Sequence, residues 1–346
     1  MSGFLTVLVI VLIFVVIFQI AKASEYVSIL KGEKKARQQS NRINGFLMIV
    51  FLVLGLFGAY YCNDVLKDKL GPGAASVQGE GIDTLIAVTL AITGFVCVVT
   101  QVLLFWFAFK FQEKEGRNAF YFPHNSKLEV IWTVIPAIAL TILVAFGLKH
   151  WFAITSDAPK DAMVVEVTGK QFNWLVRYPG KDGQLGSKKF KLISDVNSNP
   201  VGQDWEDGLN KDDFMSNEIH LVVGKPVKFI IGSRDVIHDV GLPQFRMKMD
   251  AVPGIPTTLW ITPKYTTTDM RAKTENPDFV FELSCDQMCG AGHFSMRAVI
   301  VVETQQEFDA WAAKQKSQYE LANASATPAP AAGADSTASK AVAIAK

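Results

Sequence analysis

The chain has 346 residues, 49% of them hydrophobic and 19% charged, with a formal net charge of +1. So even a balance excludes a polyelectrolyte partner such as nucleic acid, and the length allows two structural units with a sizeable core. Most of the hydrophobic excess lies before residue 152.

Four segments are predicted to cross a bilayer, where a span needs roughly 20 apolar residues. They are residues 4–20, 43–62, 85–109 and 130–148, and none contains Asp, Glu, Lys or Arg. The loop after the first carries six basic residues: Lys22, Lys31, Lys34, Lys35, Arg37 and Arg42. The second loop has two, Lys67 and Lys69, and the third has four, Lys110, Lys114, Arg117 and Lys127. Basic loops stay in the cytoplasm, so the first and third are predicted to be inside and both termini outside. Ala21-Lys22-Ala23 has the form of a signal-peptidase site. Residues 1–3 carry no Lys or Arg, however, and removing the first span would leave the C-terminal region in the cytoplasm, so four retained spans are expected.

After Trp151 short β-rich runs take over, at 163–167, 227–231, 257–261, 280–283 and 298–302. Gly, Pro, Asn and Asp separate them, which predicts an antiparallel sandwich or barrel. Residues 179–218 read as a long polar excursion between strands. Thr304-Gln305-Gln306-Glu307 is a capping box opening a helix that carries Phe308 and Trp311 on one face. From about Ala322 the composition of Ala, Ser, Thr and Pro predicts a disordered tail. His124, His150 and His220 have no partner cluster and are expected at surfaces or interfaces.

Cys62 and Cys97 lie alone in apolar stretches and read as small hydrophobes. Cys285, Cys289, His293 and Met296, by contrast, fall within twelve residues, and His238 lies upstream. Thiolate, thioether and imidazole together suit copper and do not suit magnesium or calcium. A Cys₂His₂ zinc site, a Cys285–Cys289 disulfide and a mononuclear blue-copper site remain open on this inventory.

The pattern Cys-x₃-Cys-x₃-His-x₂-Met, with Asp-Val-x-His upstream, resembles the binuclear copper (CuA) signature of cytochrome c oxidase subunit II. Further matches are Pro243, Lys248, Asp250 and Pro253-Gly254, the helix start at 129–136, and Gly169-Lys170-Gln171-Phe172-Asn173-Trp174. The resemblance spans roughly residues 85–315. It implies extra N-terminal helices with a basic loop (1–62), a helical-hairpin membrane anchor (63–152), a cupredoxin-like all-β sandwich with a C-terminal helix (153–320) and a tail (321–346). It further implies two coppers bridged by Cys285 and Cys289. His238 and His293 would bind one copper each, with Met296 and the Gln287 carbonyl as axial ligands.

Electrons would come from a cytochrome c, or a neighbouring complex's c-type haem, and pass to haem in subunit I, in a bacterial inner membrane. Two departures stand out. The family usually has Glu at Gln287, where the side chain also reaches a magnesium ion at the subunit I contact. It usually has Trp at Phe172, where electrons enter, so Trp174 is an alternative route. Glu129 matches the entrance of a proton path. A copper-free quinol oxidase subunit II and a membrane-tethered copper-delivery factor are the competing functions.

Overall fold

The computed structural model describes residues 2–67 and 71–326. It forms two units, Met1–Gly71 with Leu85–Ala145, and Pro72–Thr84 with Phe146–Lys346. Four long helices dominate the N-terminal half: α1 (Ser2–Lys31), α2 (Glu33–Leu66), α3 (Val77–Lys110) and α4 (Ser126–Thr155). Each predicted span falls inside one of them. A helix satisfies its own backbone, which lipid cannot do. Its apolar side chains can then point outward, as Phe51, Phe95, Leu104 and Ile135 do. Among the described residues, α2, α3 and α4 are long and apolar enough to cross a membrane. The predicted first span lies in α1, part of whose side chains falls outside the described residues. Lys34 and Arg37, in the first loop, pair with Glu115 and Glu113 of the third at 2.5 and 3.4 Å. Those two loops therefore share a side, as the basic-residue count requires.

In the second unit ten strands form two five-stranded sheets. One has the order β3 (Phe214–Ser216), β2 (Asn173–Tyr178), β1 (Met163–Lys170), β5 (Val227–Ser233), β8 (Thr257–Ile261). The other has the order β4 (Ile219–Val222), β10 (Arg297–Glu303), β9 (Phe281–Cys285), β6 (His238–Leu242), β7 (Met247–Ala251). The pairing is mixed, not purely antiparallel, because β1 runs parallel to β5 and β4 parallel to β10. Alternation along the strands explains the core: Phe229, Ile231, Leu259 and Ile261 from one sheet and Phe281, Leu283, Ile300 and Val302 from the other are buried. Each such side chain contributes about 1.5–3 kcal/mol on burial.

The excursion at 179–218 contains two 3-10 turns and β3, and a buried polar cluster holds it to the sandwich. Arg177 on β2 donates to Glu166, Asn210, Asp213 and the Gly186 carbonyl at 2.7–3.1 Å. The capping box closes as predicted: Glu307 N donates to Thr304 Oγ1 while the Glu307 carboxylate accepts from Thr304 N, opening α5 (Gln305–Ala312). His220 is a correction. It is buried, stacked at 3.8 Å on Trp311, with Nδ1 2.8 Å from Glu303. A lone imidazole on a short strand gives no hint of the helix that later covers it. A further helix, α6 (Gln318–Ala326), includes the first residues of the predicted tail, and 327–346 lie outside the described residues.

Candidate metal centre

Three strand ends and a hairpin tip meet at one end of the sandwich. β6 begins at His238, and β9, its antiparallel neighbour, ends at Cys285. The loop from Asp286 to Met296 then leads into β10. The turn between β1 and β2, Gln171-Phe172, approaches from the facing sheet.

The donor atoms lie at near-equal spacings. His238 Nδ1 is 3.8 Å from Cys285 Sγ, Cys285 Sγ is 3.9 Å from Cys289 Sγ, and Cys289 Sγ is 3.8 Å from His293 Nδ1. Met296 Sδ lies 3.8 Å from Cys289 Sγ, and the Gln287 carbonyl accepts from the Cys285 thiol at 3.2 Å. His238, Cys285, Cys289 and Met296 are buried. Both cysteines are free, and their sulfurs are far beyond the roughly 2.05 Å of a disulfide. The donor atoms of His238, Cys285 and Cys289 all lie within 4.8 Å of one another, a set that leaves out His293. A single tetrahedral zinc would gather all four donors about one point, with metal–ligand bonds of about 2.0–2.3 Å. Here His238 forms a compact triangle with both sulfurs while His293 adjoins Cys289 from outside it, so the two imidazoles suit different ions. Every sequence-assigned ligand converges here, through the Gln287 backbone in one case; its side chain is exposed.

Thiolates bind metal, and here burial first, then the adjoining Cys285 thiol, pushes Cys289 up to about 11. A metal ion must therefore displace a proton to bind.

The spacing alone did not reveal the residues that hold the ligands. Asp235 Oδ1 lies 2.8 Å from His238 Nε2, which fixes Nδ1 as the free lone pair facing the sulfurs. Burial opposes ionisation of Asp235, but hydrogen bonds from Gln171 N–H, His238 and Val236 N–H hold it below the usual carboxylate range. Gln171 also donates from Nε2 to the Cys289 carbonyl at 2.5 Å, tying the two ligand loops together. Gly169 permits close approach: a Cβ there would sit 2.6 Å from His238 Cδ2. Only the Asp in Asp-Val-x-His signalled any of this. Replacing Asp235 with Ala is expected to weaken metal binding by about 10–100-fold, measured by competition with a chelator.

The remaining candidates separate. Trp174 is buried with its ring edge-on to His238, centroids 5.9 Å apart, and its Nε1 has no hydrogen-bond partner among the described residues. Phe172 is 39% exposed and lies over Gly290 and Gly292, leaving no room for a Cβ at either. Glu129 sits in the first turn of α4, where its carboxylate accepts from Asn125 N at 3.4 Å.

Family profiles match two stretches of the chain, the cytochrome c oxidase subunit II transmembrane domain at residues 69–149 and its periplasmic domain at 163–304. The alternative cytochrome c oxidase subunit 2 of Bradyrhizobium diazoefficiens is 39% identical, over 68% of this chain and 80% of that one. The cytochrome c oxidase subunit 2 of Cereibacter sphaeroides is 28% identical, over 75% and 84%. Among solved structures, the periplasmic domain of subunit II of the Bradyrhizobium japonicum cytochrome oxidase aligns at 25% identity. It covers 46% of this chain and 98% of that one, with a TM-score of 0.32.

Proposed function

Because the chain belongs to the cytochrome c oxidase subunit II family, we propose that its sandwich carries a pair of copper ions that receives electrons for an oxygen-reducing oxidase. The chain is a membrane protein with its sandwich on the outer side, and membership of this family supports subunit I as its partner, to whose haem the electrons would pass. The grouping of His238, Cys285, Cys289 and His293 supports this reading best, since one imidazole adjoins each of two neighbouring sulfurs, which gives donors for two ions with the sulfurs to share. Met296 and the Gln287 carbonyl complete the set. Cys285 and Cys289 would hold the copper pair, which would supply a one-electron store when bound.

The protein's own part is rigidity and access. Asp235 and Gln171 fix the loops. Phe172, Met288 and Phe294 leave an apolar rim exposed around the ligands, against which a c-type haem protein would dock. Phe172 would take the family's Trp position as the surface through which electrons arrive, with Trp174 behind it against His238. Glu129 would mark a proton path only through the partner subunit.

The full chain, purified and loaded with copper, is expected to be purple, to hold two coppers and to give a mixed-valence electron paramagnetic resonance signal. A colourless protein holding one zinc would overturn the proposal. A quinol oxidase subunit would need none of these donors.

A further inference from the structure

Residues 111–125 join α3 to α4. Because α4 crosses the membrane and leads out to the sandwich, this loop emerges at the inner face. It holds two acids, Glu113 and Glu115, and Arg37 and Lys34 of the first loop take them both. Lys110, Lys114, Arg117 and Lys127, in and beside the loop, are exposed and have no carboxylate partner among the described residues. The pairing therefore leaves a surplus of positive charge.

Two of these cations gather on one ring. Gly116, at a φ of 76° that glycine adopts readily, turns the chain back, and Arg117 N donates to the Lys114 carbonyl at 3.2 Å. The turn carries the Arg117 guanidinium to 5.2 Å from the centre of the Phe111 ring, where it donates to the Lys110 carbonyl at 3.1 Å. Lys110 Nζ lies 5.6 Å from the same ring centre. The face of an aromatic ring attracts cations, but it does not cancel the repulsion between two of them as an anion would. Beside them opens a cleft of about 540 Å³, lined by Phe111, Lys114, Arg117, Asn118 and Phe120.

Phe120, Tyr121 and Phe122 follow, and they are 87%, 86% and 62% exposed. A free phosphate or an acidic protein surface would answer the cations and leave these rings bare. A phospholipid answers both. The loop begins where the apolar run 85–109 ends, at the depth of the headgroups, where aromatic rings are favoured. We propose that this loop binds the phosphodiester of an anionic phospholipid between Lys110, Lys114 and Arg117, with Phe120, Tyr121 and Phe122 seated among its glycerol and upper acyl chains. The Arg117 fork matches two phosphate oxygens, while the lysines act as point charges. Arg37 and Lys34 keep the two acids from repelling the lipid, which gives the N-terminal helices a part in the site.

The test reconstitutes the full chain in phosphatidylcholine vesicles with a trace of phosphatidylglycerol spin-labelled on an acyl chain. Electron paramagnetic resonance reads how much of the label is immobilised on the protein, compared with the same label on phosphatidylcholine. A preference of about fivefold or more for phosphatidylglycerol is expected, with or without copper loaded. Lys114→Gln with Arg117→Gln should remove most of it, and Phe120→Ser with Phe122→Ser, which alters no charge, should lower it too. Lys181→Gln with Lys191→Gln, an equal loss of charge on the sandwich, should leave it intact. Equal immobilisation of the two lipids, a preference unchanged in either loop variant, or an equal fall in the sandwich variant would overturn the site. So would displacement of the label by millimolar inorganic phosphate at constant ionic strength, which would make it a site for the free anion.

Discussion

Cys289→Ser is expected to abolish cytochrome oxidation by the assembled oxidase while the subunits still assemble. Cys289 Sγ is the hub of the site, within 3.9 Å of Cys285 Sγ, His293 Nδ1 and Met296 Sδ. A serine hydroxyl fills nearly the same space, so the sandwich has no cavity to absorb. It is a hard donor, though, and does not deprotonate near neutral pH, so it cannot bridge two coppers as a thiolate does. The purple colour and mixed-valence signal should vanish, and bound copper should fall from two ions to one or none. Changing residues that merely orient metal ligands costs about 10–100-fold. Losing a shared ligand should therefore reduce electron transfer by at least about 100-fold. Stopped-flow oxidation of a reduced c-type cytochrome by the purified complex measures this. Oxidation at the normal rate would remove the copper pair from the electron path. If copper were missing from another subunit instead, the chain would deliver the metal and not use it.

What the sequence made legible depended on whether the information was local. The ligand loop was readable because Cys285, Cys289, His293 and Met296 fall within twelve residues. Thr257–Ile261 formed as predicted because its β-branched, apolar pattern is contained in the run itself. β6 and β7 were missed: His-Asp-Val-Gly-Leu and Met-Lys-Met-Asp-Ala contain one β-branched residue between them, and cross-strand pairing makes them strands. The part Gln171 plays is invisible in its own motif, since its bonds to Cys289 and Asp235 cross 118 and 64 residues. His220 was misplaced for the same reason. Chemistry within one loop is visible in sequence, whereas the restraints that hold it come from other strands and appear only once the sheets are paired.

That dependence on distant residues is greatest at Arg177, whose loss should damage stability more than any change at the metal site. Its guanidinium is 2% exposed, close to Glu166 at 2.7 Å and Asp213 at 3.1 Å, both of them buried as well. Asn210 and the Gly186 carbonyl take its other hydrogens. Arg177→Met keeps the bulk and removes the charge, leaving buried Asp213 without an ion partner and Glu166 with Lys188 alone. Breaking a buried pair from one side costs about 3–5 kcal/mol. The variant should show a clearly lower midpoint in urea or heat, with the 179–218 excursion cut first by protease. The pH response gives an independent check. Burial raises Asp213 to about 6, prevailing over the pull of Arg177. The unfolded carboxyl titrates near about 4. The folded state therefore holds its proton while the unfolded state has lost it, and Asp213's contribution to stability falls as pH rises from about 4 through about 6. Without the guanidinium Asp213 should shift further up, carrying that loss to higher pH. Adding Asp213→Asn to Arg177→Met should recover part of the stability and flatten the slope. A variant within about 1 kcal/mol of the parent at pH 7 would mean that water reaches the cluster and that the excursion is held by its turns alone.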